Sequence, residues 1–245
     1  MTSVAVMSVK GSPGVSSTAL GLAASFGAGS TLIEADLSGG SLLGRCGHLA
    51  ANGPNLFDAV RHNDVAHGAQ GLGEISVVVM RGDVWRNTQA AAGVARWRGV
   101  WDSAVGDVVT DMGRWVPGSP TCRIAGEADV IVLVASLEAT ALSATLEWAR
   151  RGGQLSSSDP VLDRNRMVLV TTDVTRTKHG KVSAKELADD AGALGVRYGG
   201  HLSFDENPLE SLRAGAGFGH KSVARSNLAA NLLYVGQQLR VGVSS

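Results

Sequence analysis

Lys10, Gly14, Ser16 and Ser17 belong to the stretch Lys10-Gly11-Ser12-Pro13-Gly14-Val15-Ser16-Ser17, which directly follows the apolar run 4–9. An apolar strand, a glycine-bearing loop, paired serines and then a helix-forming sequence is the layout of a phosphate-binding loop. Backbone N–H groups of such a loop and of the helix after it point at an anion, and the helix dipole favours it. Ser16 stands where a hydroxyl would hold Mg²⁺. The general pattern G-x-x-x-x-G-K-[ST] is half met: Gly14 and Ser16 fit, but Val9 replaces the first glycine and Val15 the phosphate-binding lysine. Taken alone, the segment reads equally well as a tight strand-to-helix turn with a serine cap.

Two acidic segments add to the loop. Run 31–35 ends in Glu34-Ala35-Asp36, and run 107–110 ends in Asp111-Met112-Gly113-Arg114. A carboxylate at the carboxyl end of a hydrophobic strand is costly unless a cation or a donor meets it. Two such ends beside a phosphate-type loop suit a Mg-nucleotide site, one acid orienting Mg²⁺ and the other positioning an attacking water. Each aspartate taken separately also reads as a helix cap or a loop residue.

These residues must be positioned by the elements around them. Apolar runs at 4–9, 31–35, 75–80, 107–110, 130–135 and 167–171 are continuous rather than alternating, as in strands covered on both faces. Helical stretches lie between and after them at 17–26, 55–62, 88–105, 139–151, 183–194 and 222–240. Alternation of this kind predicts an α/β fold, a doubly wound, mostly parallel sheet with helices on both faces. Ligands in such folds sit beyond the carboxyl ends of the strands. The 245 residues, 44% of them apolar, suit one large domain spanning 1–245, and the flexible-looking stretches 151–159 and 175–181 are too short for a domain linker. Net charge is zero, so bulk electrostatics point to neither a nucleic-acid nor a membrane partner. Cys46 and Cys122 lack metal-ligand spacing, and no signal peptide or membrane span is read, so a cytoplasmic protein with free thiols is expected.

With these features in order, the sequence resembles the ParA/MinD family of deviant P-loop ATPases. The family loop K-G-G-x-G-K-[ST]-[ST] lies over Lys10, Gly11, Ser12, Pro13, Gly14, Val15, Ser16 and Ser17. The resemblance implies that Lys10 reaches the partner's phosphates across a nucleotide-sandwich dimer and that Ser16 holds Mg²⁺. It implies that Asp36 of the D-x-D segment organises the attacking water and contributes to the metal site, and that Asp111 is the Walker B acid. Glu34 stands in place of the first D-x-D aspartate. Segment 54–60 resembles the family's helix after the second strand, and 128–134 its next strand. Phe204-Asp205-Glu206-Asn207-Pro208-Leu209 resembles the late loop that borders the base, which implicates Asp205, Asn207 and Pro208 in ATP or ADP binding.

Val15 is the main departure. Loss of the lysine there predicts weaker ATP affinity and still weaker hydrolysis. An altered loop of this type is similar to the CpaE/TadZ-like branch, which places pilus machinery. Two readings stay open: a slow ATPase switch resting on Lys10 and Asp36, and a dimeric pseudo-ATPase scaffold for pilus, secretion or partition machinery. A third is a nonspecific DNA-binding partition protein using Arg213, Lys221 and Arg225, with His220 beside them. The same cluster also reads as a solvated helix surface. Trp85, Trp97 and Trp101 are expected to pack a long helix against the sheet, with base stacking as the alternative. His62 and His67 flank Asp64 without zinc spacing. The chain's last residues carry too little apolar moment for a membrane anchor. The stripe Leu228, Asn231, Leu232, Val235, Leu239 predicts a helix packed on the body or on a partner.

Overall fold

A computed structural model of the chain describes residues 1–11, 14–82, 84–96, 103–154, 159–173, 183–203 and 205–241. Eight strands form one sheet: β1 Ser3–Ser8, β2 Thr31–Glu34, β3 Ala69–Leu72, β4 Ile75–Val78, β5 Val108–Arg114, β6 Val130–Ser136, β7 Met167–Thr172 and β8 Arg197–Leu202. Their spatial order is β3-β4-β2-β5-β1-β6-β7-β8. Every pairing is parallel except that of β3 with β4. From β1 the chain first builds outward on one side, then crosses from β5 to β6 on the other. The switch point of the sheet therefore lies at the carboxyl end of β1, where a doubly wound fold opens a crevice.

The apolar runs look continuous because alternate residues enter two separate cores. Ala5 and Met7 of β1, with Ile131 and Leu133 of β6, face one helical layer. It contains α3 Leu56–His62, α5 Val84–Arg96, α6 Thr121–Glu127, α7 Ala139–Arg150 and α8 Ala184–Ala193. Val4 and Val6, with Val132 and Val134, face the other. That layer contains α1 Val15–Phe26, α9 Glu206–Arg213, α10 Lys221–Ala224 and α11 Asn227–Val241, with the short α2 Leu42–Arg45 at its edge. Leu228, Leu232, Val235 and Leu239 are buried, so the stripe on α11 faces the body. A Cβ on Gly21 of α1 would lie 2.5 Å from Leu232 Cδ1, so glycine permits this close approach. Four residues of α4, Val65–Gly68, and a 3₁₀ turn at Arg164–Arg166 complete the described elements.

Several boundaries differ from the sequence expectation. The stretch expected as one helix over 222–240 is two, because the Ser226 hydroxyl accepts the Ala229 N–H at 3.0 Å and starts α11 afresh. The helix expected at 88–105 starts earlier, at Val84, and is described to Arg96; Trp97 and Trp101 lie outside the described residues. Trp85 is 71% exposed, which corrects its expected packing against the sheet. Strand β3 was not anticipated, and neither was β8. Strand β8 carries Gly199-Gly200, and the register slips there against Leu169 and Val170, a bulge that breaks the apolar pattern. Of the segments expected to be flexible, 155–158 and 175–181 lie outside the described residues.

Candidate functional site

Strand β5 runs past Thr110 to Arg114, so Asp111 sits within the strand rather than beyond its end. Val6 pairs with Asp111 but Ser8 with Arg114, leaving one extra residue in β5. Gly113, at φ 61°, absorbs it. Asp111 is fully buried; its Oδ1 accepts the Gly113 N–H at 3.0 Å, and its Oδ2 has no hydrogen-bond partner among the described residues. Burial pushes the carboxyl up to about 6; the Ser16 hydroxyl and the Gly113 N–H oppose that rise, nearby Asp36 adds to it, and Arg45 lessens it.

The Asp36 carboxylate lies against Gly113: a Cβ there would come within 2.2 Å of Asp36 Cγ. Its Oδ1 accepts the Ser38 N–H at 2.9 Å. Glu34 is the register partner of Asp111 on β2 and is also fully buried. Its Oε1 accepts the Ser41 and Leu42 N–H groups at 2.6 and 2.9 Å, and its Oε2 accepts Met80 N–H at 3.0 Å. Burial raises this carboxyl to about 7, with Asp111 adding to the rise and the three N–H donors opposing it. Glu34 is thus a tie between the loop after β2 and the end of β4. The tie sets Ser41, whose Oγ lies 3.3 Å from Ser16 Oγ.

Gly14, at φ 113°, caps α1, and among the described residues no side chain caps that helix end. A Cβ on Gly14 would lie 3.5 Å from Thr172, so the loop passes close under the end of β7. Val15 is 5% exposed and packs in the core beneath α1. The position that carries lysine in the family loop therefore presents no side chain to the loop. Lys10 is exposed. Gly11, at φ 75°, lies beside Arg114 Cδ. Ser12 and Pro13 lie outside the described residues, as does Phe204.

Beside the start of α1 opens a cavity of about 210 Å³. Gly14, Ser17 and Thr18 form its floor, Thr172 and Asp173 enter from the end of β7, and Leu202, Ser203 and Asp205 from the end of β8. Arg45 and Arg213 also line it. Of the late-loop residues, Asp205 faces this space; Asn207 is exposed and Pro208 is buried within α9, and neither lines it. Asp173 Oδ2 lies 3.3 Å from His201 Nε2, and His201 Nδ1 lies 3.1 Å from Thr171 Oγ1.

The basic cluster read from the sequence does not form one free face. Arg213 is bonded to Glu210 and directed at Ser17, while Lys221 and Arg225 are exposed at either end of α10. Arg213 belongs to the cavity because α9 lies across α1. His220 accepts the Ser222 N–H at the start of α10. His62 and His67 stack at 4.5 Å, and His67 pairs with Asp64 at 2.9 Å, a local arrangement at a helix end.

Sequence reading missed Thr172, Asp173 and Arg45. The first two stand at the end of a fully buried strand, the position where doubly wound sheets place ligands, and that rule would have found them. Arg45 sits on a four-residue helix and carries no signal in the sequence.

No protein-family model matches the sequence, and no curated protein matches it. Solved structures do match. The cell division ATPase MinD of Pyrococcus furiosus superposes with a TM-score of 0.75 at 14% identity, over 98% of this chain and 98% of that one. The septum site-determining protein MinD of Pyrococcus horikoshii OT3, complexed with Mg-ADP, gives 0.74 at 12% identity, over 100% of this chain and 98% of that one. A ParA family ATPase of Chlorobium tepidum TLS gives 0.72 at 12% identity, over 97% and 99%. The fold is that of the ParA and MinD ATPases. In this ParA/MinD fold Ser16, Asp36 and Asp111 meet at the switch point of the sheet, and the cavity beside Ser17 lies next to them. No described helix is long and apolar enough to cross a membrane.

Proposed function

We propose that the chain is a nucleotide-binding positioning protein of the ParA/MinD type, holding Mg-ADP or Mg-ATP at loop 10–17 and turning ATP over slowly or not at all. One observation carries the reading. Asp111 Oδ2 is a buried carboxylate oxygen with no hydrogen-bond partner among the described residues, beside the Ser16 hydroxyl. Such an oxygen is costly unless a cation meets it, and a hydroxyl with carboxylates is a donor set for a hard divalent ion. The residues therefore fit Mg²⁺, with Ser16 and Asp111 holding it and Asp36 close by. Bound there, Mg²⁺ would neutralise phosphate charge.

The chain's own groups do the remaining work. Backbone N–H groups of Gly14 through Ser17, with no side-chain cap among the described residues, would donate to the phosphates at the start of α1. Asp36, held by Ser38 and seated on Gly113, orients water. Exposed Lys10 is free to reach a second copy of the chain. The MinD of Pyrococcus horikoshii with the same fold was solved with Mg-ADP, which supports the ligand class. Val15, buried in the core, is the reason for slow or absent turnover. On this reading the protein works in the cytoplasm as a dimer. Its cargo is pilus or secretion machinery, in line with the CpaE/TadZ-like branch, or DNA.

The test is the Mg²⁺ dependence of ADP binding. Wild type should bind ADP more tightly with Mg²⁺ than with a chelator, and Asp111→Asn and Ser16→Ala should lose that increment. An increment that survives both changes sinks the assignment.

A further inference from the structure

Removing the loop lysine leaves the phosphates of a bound nucleotide short of one cation, and the structure offers another source for it. Arg213 comes from α9, 196 residues along the chain from Ser17, yet its Nη2 stands 3.5 Å from Ser17 Oγ. Its side chain is 18% exposed, so the guanidinium is held within the cavity wall. Glu210 engages Nη1, and the planar fork retains further donors. Arg45 lines the same cavity from α2, and its charge is felt by both Asp111 and Cys46.

Charges of both signs line the cavity: Arg45 and Arg213, with Arg213 beside Ser17 of α1, and Asp173 and Asp205, which follow β7 and β8. A free polyanion would meet the two carboxylates as repulsion. A nucleotide would not, because its phosphates face the arginines while ribose hydroxyls and base N–H groups donate to the acids. The volume of about 210 Å³ lies below the roughly 300 Å³ at which pockets for whole drug-sized ligands begin. It suits the nucleoside end, with the phosphates running back along the loop.

We propose that Arg213, assisted by Arg45, is the phosphate-binding cation of this chain and stands in for the lysine that Val15 replaces. The proposal deepens the nucleotide reading above and rests on it. A guanidinium at this place strengthens ground-state binding from beside Ser17, while buried Val15 still presents no side chain to the loop. It therefore predicts retained nucleotide affinity without restored turnover.

Calorimetry with ADP and with adenosine, on the full chain, separates the possibilities. Arg213→Gln should weaken ADP at least tenfold and leave adenosine within twofold. Arg213→Lys should recover part of the ADP affinity. Glu210→Gln breaks the same ion pair and should leave ADP unchanged or tighter, which guards against a purely structural effect of Arg213. If wild type binds ADP and Arg213→Gln binds it within twofold, the proposal falls and the nucleotide reading stands. Equal losses for Glu210→Gln and Arg213→Gln, or parallel losses of ADP and adenosine, also overturn it. No ADP binding by wild type removes both.

Discussion

The Asp36 carboxylate rests on the bare Cα of Gly113, so closely that a methyl group there would lie within 2.2 Å of Asp36 Cγ. Gly113 also takes up the extra residue of β5 at φ 61° and donates its N–H to Asp111. One glycine thus sets the spacing of both candidate acids. Gly113→Ala adds left-handed strain to the clash and should cost on the order of 1–3 kcal/mol. Urea unfolding reads this as a lower midpoint at unchanged slope. A wild-type midpoint in the Ala variant would mean that Asp36 is not seated on this residue.

Acidity offers a second test. The carboxyls of Glu34 and Asp111 are raised from 4.5 and 3.8 to about 7 and about 6. Between those limits the folded state holds protons that the unfolded chain releases. Stability therefore falls as pH rises from about 4 to about 7, and levels off above. Asp111→Asn removes one of the two burdens and keeps the Gly113 bond through Oδ1. At pH 7.5 it should gain on the order of 1–3 kcal/mol, a gain that disappears at pH 4. Glu34→Gln should behave oppositely, because its amide turns an N–H toward a backbone donor and loses at least one of three bonds. Thermal melts across this pH range check both, and an Asp111→Asn variant less stable than wild type at pH 7.5 would contradict the account.

Restoring the family residue tests the loop. Val15 is in the core, so Val15→Lys exposes an apolar site and should cost about 1–2 kcal/mol of stability. Its ammonium would reach back to the loop along a flexible stem. ADP affinity should rise despite the lower melting midpoint. Unchanged affinity would mean the loop is no longer shaped for phosphate.

Six strands of the sheet were legible in the sequence because they are buried on both faces, and continuous apolar runs record that directly; the part-exposed edge strand β3 left no such run. Where glycine takes over the strand, as at Gly199-Gly200, the record fails: the backbone makes the pairing and Val168 fills the space a side chain would occupy. Asp36, Asp111 and Ser16 were legible because each follows or ends an apolar run. Arg213 was legible only as positive charge. Its direction depends on α9 crossing α1, a contact between segments far apart in the chain. The tie made by Glu34 was hidden for the same reason, since Met80 comes to it from just beyond β4.

The most direct measurement is calorimetry of Mg-ADP and Mg-ATP binding to the purified protein, with its mass in solution followed beside it. The account predicts saturable binding in the micromolar range and an ATP-dependent shift from monomer to dimer. No binding up to millimolar nucleotide, with an unchanged mass, would contradict it and leave the fold as a scaffold that no longer takes a nucleotide.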